Sequence, residues 1–119
     1  MARYVDGFVL PVPKKHFAAY KKMATLASKV WKQHGAVDYL ESVGDDLKIG
    51  MGTPFPRAAR ARKGETVVFS WILYKSKAHR NAVNKKVMKD PRIAAMMNEK
   101  MPFDVKRMVM GGFRVFVEI

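Results

Sequence analysis

The sequence predicts an α+β domain, a four-stranded antiparallel sheet with helices on one face. Three observations carry this. Apolar residues alternate near the start of the chain, the stretch Glu65–Tyr74 is apolar on both faces of a strand, and a further apolar stretch lies near the end. Between these lie two segments whose apolar residues recur three and four apart, the period of a helix. Pro or Gly stands at most changes of pattern, where a chain turns. At 119 residues the chain is expected to be one domain, residues 1–119.

Residues 4–10 alternate, with Tyr4, Asp6, Phe8 and Leu10 on one face and Val5, Gly7 and Val9 on the other. Pro11 and Pro13 lack a backbone donor and are expected to stop this strand. Residues 14–34 read as a helix, with Phe17, Tyr20, Ala24, Ala27 and Trp31 along one stripe and lysines over much of the opposite side. Gly35 is a natural left-handed stop for it. A second strand is expected over residues 36–43. The connection over residues 44–64 is rich in Gly, Pro and Arg, and its length marks it as functional, mobile or partly structured. Phe55-Pro56 is expected to pin its middle, and residues 56–61 to add extended structure.

The third strand is Glu65–Tyr74. Ser76 caps a helix over residues 77–89, and Asp90-Pro91 ends that helix and starts a short one. Met101-Pro102 breaks it, and a last strand is expected over residues 105–118. The order β-α-β-β-α-β, with an extra short helix, is the ferredoxin-like arrangement. In the third strand Val67, Phe69, Trp71 and Leu73 point one way, and Val68, Ser70, Ile72 and Tyr74 the other. Helices cover one face, and an apolar patch of that extent is rarely left in water. A second copy packed sheet to sheet with twofold symmetry is the simplest cover, so a homodimer through the open sheet face is expected.

Lys and Arg number 23 against 10 Asp and Glu, a formal net charge of +13. Such a surface attracts polyanions at low salt whatever the native role. With no cysteine, disulfides, thiolate metal sites and thiol catalysis are excluded, and a cytoplasmic location is expected. The start reads as a strand rather than a signal peptide, and no apolar run is long enough to cross a membrane. His16, His34 and His79 lack ligand spacing, so no metal and no cofactor are expected.

Several blocks are distinctive together: residues 4–9 (YVDGFV), 55–58 (FPRA), 67–72 (VVFSWI), 90–92 (DPR), 101–104 (MPFD), 106–108 (KRM) and 111–113 (GGF). On these the chain resembles the YbaA-like family, bacterial domain of unknown function 1428, within the dimeric α/β-barrel superfamily. The resemblance runs almost end to end. It implies a ferredoxin-like subunit and a dimer, and no established reaction. The chain departs from that pattern in the charge of Arg60, Arg62 and Lys63, and in Lys75, where related chains often carry proline.

Gly111-Gly112 within a strand points to a bulge or bend, or to close approach by a backbone or a ligand. Asp104, Lys106 and Arg107 precede it, so Arg107 either anchors the loop or holds an anionic ligand. The leading expectation is a small-molecule-binding protein or cofactor-independent enzyme with a pocket between sheet and helices. Its expected ligand-binding residues are Asp6, Trp71, His79, Asn84 and Arg107, with His79 as proton carrier and Arg107 as anion holder. One alternative is nucleic-acid binding on an RRM-like sheet, although residues 65–74 lack the Lys/Arg-Gly-Phe/Tyr signature, and contact with nucleic acid is expected to be non-specific. The other is an adaptor whose basic loop, residues 57–63, meets an acidic partner.

Overall fold

In the computed structural model, which describes residues 2–119, the first strand β1 runs Tyr4–Pro13, straight through both prolines. The pairing explains their tolerance. β1 pairs with the strand Glu65–Tyr74 along its whole length, but with the last strand, Val109–Arg114, only as far as Val9. Lys14 N–H donates to Gly64 C=O on the former side at 2.9 Å, and Val115 N–H to Arg3 C=O on the latter at 3.0 Å. Odd-numbered residues of β1 therefore turn their backbone groups toward the last strand. Beyond Val9 that side has no neighbour, so Pro11 and Pro13 remove no ladder bond.

A 3₁₀ turn, Lys14–His16, leads into α1, Phe17–Gln33, which buries Tyr20, Ala24, Ala27 and Val30. Gly35 ends it at φ +113°, a conformation a side chain would strain. β2 is Asp38–Val43 and α2 a single turn, Phe55–Ala58, where extended structure was expected. Pro54 precedes that turn and Pro56 sits in its first positions, where the missing donor costs nothing. β3 is Glu65–Tyr74, α3 Lys77–Met88 and α4 Pro91–Met97. Ser76 Oγ accepts from His79 N–H at 3.1 Å, and Asp90 from Arg92 N–H at 2.9 Å, as caps of α3 and α4.

Residues 105–107 are a 3₁₀ turn, not strand, capped by Asp104, and β4 is the shorter Val109–Arg114. The strands lie in the order β2-β3-β1-β4, every pair antiparallel. With both long helices on one face, the fold is ferredoxin-like.

The inner face carries two apolar clusters that Phe8 joins. One gathers Tyr4, Val30, Ile72, Tyr74, Val83, Val87 and Ile93; the other gathers Leu10, Val12, Tyr20, Ala24 and Val68. The outer face carries Leu40, Phe69, Trp71, Leu73, Val109 and Phe113, as the strand register requires. Phe55 meets Phe69 edge to ring at 6.1 Å and covers one end of that face, where Val67 is buried. Leu40, Phe69, Val109 and Phe113 are exposed.

Candidate functional site

Between the inner face of the sheet and the helices lies a cavity of about 470 Å³. That is within the usual size of a small-molecule site. β1 contributes Asp6 and Phe8, β3 contributes Ser70 and Ile72, and β2 contributes Tyr39 and Glu41. Trp31 enters from α1, Arg80 and Asn84 from α3. Met96, Met97, Met101, Phe103 and Met108 add a soft wall from the segment after α3.

The polar end is built on β1 and α3. Arg80 and Asn84 are one helical turn apart, on the stripe that also buries Val83 and Val87. Asn84 Oδ1 accepts from Trp31 Nε1–H at 3.2 Å and from Tyr74 O–H at 3.3 Å. Arg80 stacks over the Tyr4 ring at 4.9 Å and donates from Nη2 to the Tyr4 hydroxyl at 3.2 Å. Its Nε lies 3.7 Å from Asp6 Oδ1, near enough for charge attraction but long for a hydrogen bond. Asp6 is 7 % exposed. Burial raises its carboxyl above the ordinary value of 3.8, while Arg80, Asn84 and Tyr74 pull it back down.

That shift has a sign in stability. An acid whose native pKa is raised binds its proton more tightly in the fold, so ionising it at neutral pH opposes folding. Asp6→Asn is therefore expected to melt higher than wild type at pH 7, with the gap closing on acidification toward pH 4. Thermal melts across that range check it.

At another part of the wall, Glu41 accepts from the Tyr20 and Tyr39 hydroxyls, one on each carboxylate oxygen, both at 2.7 Å. Burial and the Glu41 charge push both phenols well above their usual range. Glu41 is thereby a fixed acceptor joining α1 to β2.

Gly112 pairs with Asp6, and Gly111 with Gly7, in unbroken register, so the two glycines form no bulge. What they permit is close approach. A Cβ on Gly112 would stand 2.7 Å from Tyr4 Cε2 and 2.9 Å from Tyr4 Cζ, on the ring beneath Arg80. Gly112→Ala is expected to cost about 1–3 kcal/mol by urea denaturation, because a buried ring must shift.

Of the residues singled out by sequence, Asp6 and Asn84 line this cavity together. The other three stand elsewhere. Trp71 pairs with Gly7 and Leu40 and faces outward on the uncovered side of the sheet. His79 accepts from Lys75 N–H through Nδ1 at 3.0 Å and sets its ring edge to Tyr74, closing the entry to α3. Arg107 donates to both Glu65 oxygens at 2.7 and 2.6 Å, to Asp104 at 2.9 Å and to Arg60 C=O at 2.9 Å. Arg80, Glu41 and Trp31 were not singled out. Their signal was positional, since Arg80 shares the stripe of Asn84 and Glu41 the inward face of Tyr39. Among the described residues no group of three or more His, Cys, Asp or Glu could hold a metal ion, and no helix is long and apolar enough to cross a membrane.

Comparison with known proteins agrees on architecture. A dimeric ferredoxin-like protein from an uncultured marine organism superposes with TM-score 0.56 at 13% identity, covering 100% of both chains. A de novo designed protein, Foldit4, superposes at TM-score 0.50 and 10% identity over 98% of this chain and 99% of its own. Such low identities speak to fold alone. In sequence, the uncharacterized protein YbaA of Escherichia coli K12 is 45% identical over 116 residues, 98% of each chain. The Shigella flexneri protein of that name matches to the same extent. The model of the family described as "Protein of unknown function (DUF1428)" matches residues 3–105, and the chain belongs to that family.

Proposed function

We propose that the protein is a homodimeric small-molecule-binding domain, enzyme-like in form and independent of any cofactor. Each subunit takes one organic ligand between its sheet and its helices. The observation that carries this reading is the cavity of about 470 Å³, apolar for most of its wall, with buried Asp6 and half-buried Asn84 and Arg80 at one end. An apolar enclosure with a few convergent polar groups and a carboxyl displaced from its usual range is the physical signature of a ligand site. Asp6 and Asn84 make the polar contacts in this reading, and Arg80 joins them. His79 and Arg107 hold the elements that frame the cavity.

The second copy covers the outer sheet face, where four large apolar side chains stand exposed on three strands. Burying them removes an apolar patch from water and adds surface burial to a small domain. Native mass spectrometry of the purified protein, after nuclease and a high-salt wash, tests both parts. A dimer carrying a small adduct per subunit is the expected spectrum. A monomer would overturn the dimer, and a retained polynucleotide would favour the nucleic-acid reading.

A further inference from the structure

We infer that the ligand carries a positive charge, a substituted ammonium group on an aromatic or apolar body, drawn to the Glu41 carboxylate between two aromatic pairs in the cavity wall. This rests on the pocket reading above and names the charge that the pocket selects.

The charged groups of the wall do not balance. Asp6 and Glu41 are its acids and Arg80 its one base. Arg80 Nε stands 3.7 Å from Asp6 Oδ1, and those two charges offset each other. Glu41 is the surplus. No ion pair among the described residues involves it. The Tyr20 and Tyr39 hydroxyls donate hydrogen bonds to it but bring no positive charge, so the carboxylate stays negative. Lys21 borders Glu41 in a neighbouring hollow of about 450 Å³, yet that lysine is exposed to water. The net charge of +13 resides mostly on other such exposed lysines and arginines, whose field salt at physiological strength screens within about 8 Å.

The strand register sets this carboxylate among rings. Glu41 stands opposite Ser70, and Ser70 opposite Phe8, in one row across the inner face. Tyr20 meets Phe103 edge to ring at 5.7 Å, and Tyr39 meets Trp31 at 6.2 Å. Glu41 accepts one hydroxyl hydrogen from each pair and so lies between them. Phe8, Trp31, Tyr39 and Phe103 line the cavity and are half-buried, as Glu41 is. Aromatic rings attract a cation without needing a hydrogen bond from it, and the attraction grows as water is excluded. A neutral body laid over Glu41 would strip water from the carboxylate and return no charge. An anionic head would add repulsion to that loss. A cation replaces the lost water with an opposite charge.

The test is calorimetric titration of the protein at physiological ionic strength with three probes built on a phenol ring. They are meta-hydroxyphenyltrimethylammonium, its neutral isostere meta-tert-butylphenol, and the anion meta-hydroxybenzoate. The cation is expected to bind about tenfold more tightly than the isostere, and the anion more weakly than both. Glu41→Gln keeps an acceptor for a tyrosine hydroxyl but removes the charge, and is expected to shrink the tenfold preference to about twofold or less. Should that variant fail to fold by circular dichroism, the ranking in wild type decides. An isostere or anion that binds as well as the cation, or a preference that Glu41→Gln leaves intact, overturns the inference and leaves the pocket standing. No binding by any probe also overturns it, whereas the pocket reading falls only if a wide fragment screen leaves Trp31 unperturbed.

Discussion

Replacing Phe113 with aspartate is expected to turn the proposed dimer into a folded monomer. Phe113 is 63 % exposed and pairs with Val5 on the outer face, beside Val109 and across the sheet from Phe69 and Leu40. In a sheet-to-sheet dimer the substitution places a carboxylate on each of two facing surfaces. Burying an unpaired charge costs several kcal/mol, so the dimer dissociation constant should rise by about a thousandfold or more. The fold itself survives because the inner clusters do not include Phe113. Sedimentation equilibrium with circular dichroism reads both quantities. A variant that remains dimeric places the interface elsewhere. A monomeric wild type would leave the outer aromatics free and return the RRM-like stacking alternative.

Replacing Arg107 with methionine is expected to be the most destabilising single change outside the apolar core. Arg107 and Glu65 side chains are 7 % and 9 % exposed, and the guanidinium binds Glu65, Asp104 and Arg60 C=O together. It ties the start of β3 and the connection before it to the turn that leads into β4. Its loss leaves the Glu65 carboxylate without the guanidinium bonded to both of its oxygens, and the melting temperature should fall by about 10 °C or more. Glu65→Gln with Arg107→Met together should recover part of the loss, because the orphaned charge is then absent.

The pH dependence follows from the same contacts. Arg107 is the first cause holding Glu65 and Asp104 below their ordinary values of 4.5 and 3.8. A depressed native pKa contributes stability that is complete above the unfolded value and lost as pH falls through the native one. Wild type should therefore lose stability from about pH 4.5 downward, and Arg107→Met should lose less over that range.

Much of the architecture is legible in the residues. Alternation in β1 and β3 separates an inner from an outer face, and the apolar outer face follows without coordinates. Two boundaries are not legible, because pairing decides them. Pro11 and Pro13 read as strand stops, yet their nitrogens face the side where β4 has already ended. Residues 105–107 run without a break into the apolar stretch of the last strand, yet Asp104 caps them into a turn that Arg107 fixes.

The site is half legible for similar reasons. Asp6 and Asn84 stand out as polar residues on apolar elements. Arg80 is one cation among 23 in the sequence, and what distinguishes it is the burial of one nitrogen, which only the packing of α3 on β1 reveals. His79 and Arg107 attract attention for chemistry that the fold uses to close a helix and to anchor a loop.

The chain holds two tryptophans, Trp31 in the cavity wall and Trp71 on the opposite face of the sheet. Their indole N–H signals in a proton–nitrogen correlation spectrum therefore separate the two surfaces. A screen of aromatic fragments should shift Trp31, whose N–H is bonded to Asn84, and leave Trp71 in place. Shifts confined to Trp71, or none at either indole, would contradict the cavity as the ligand site.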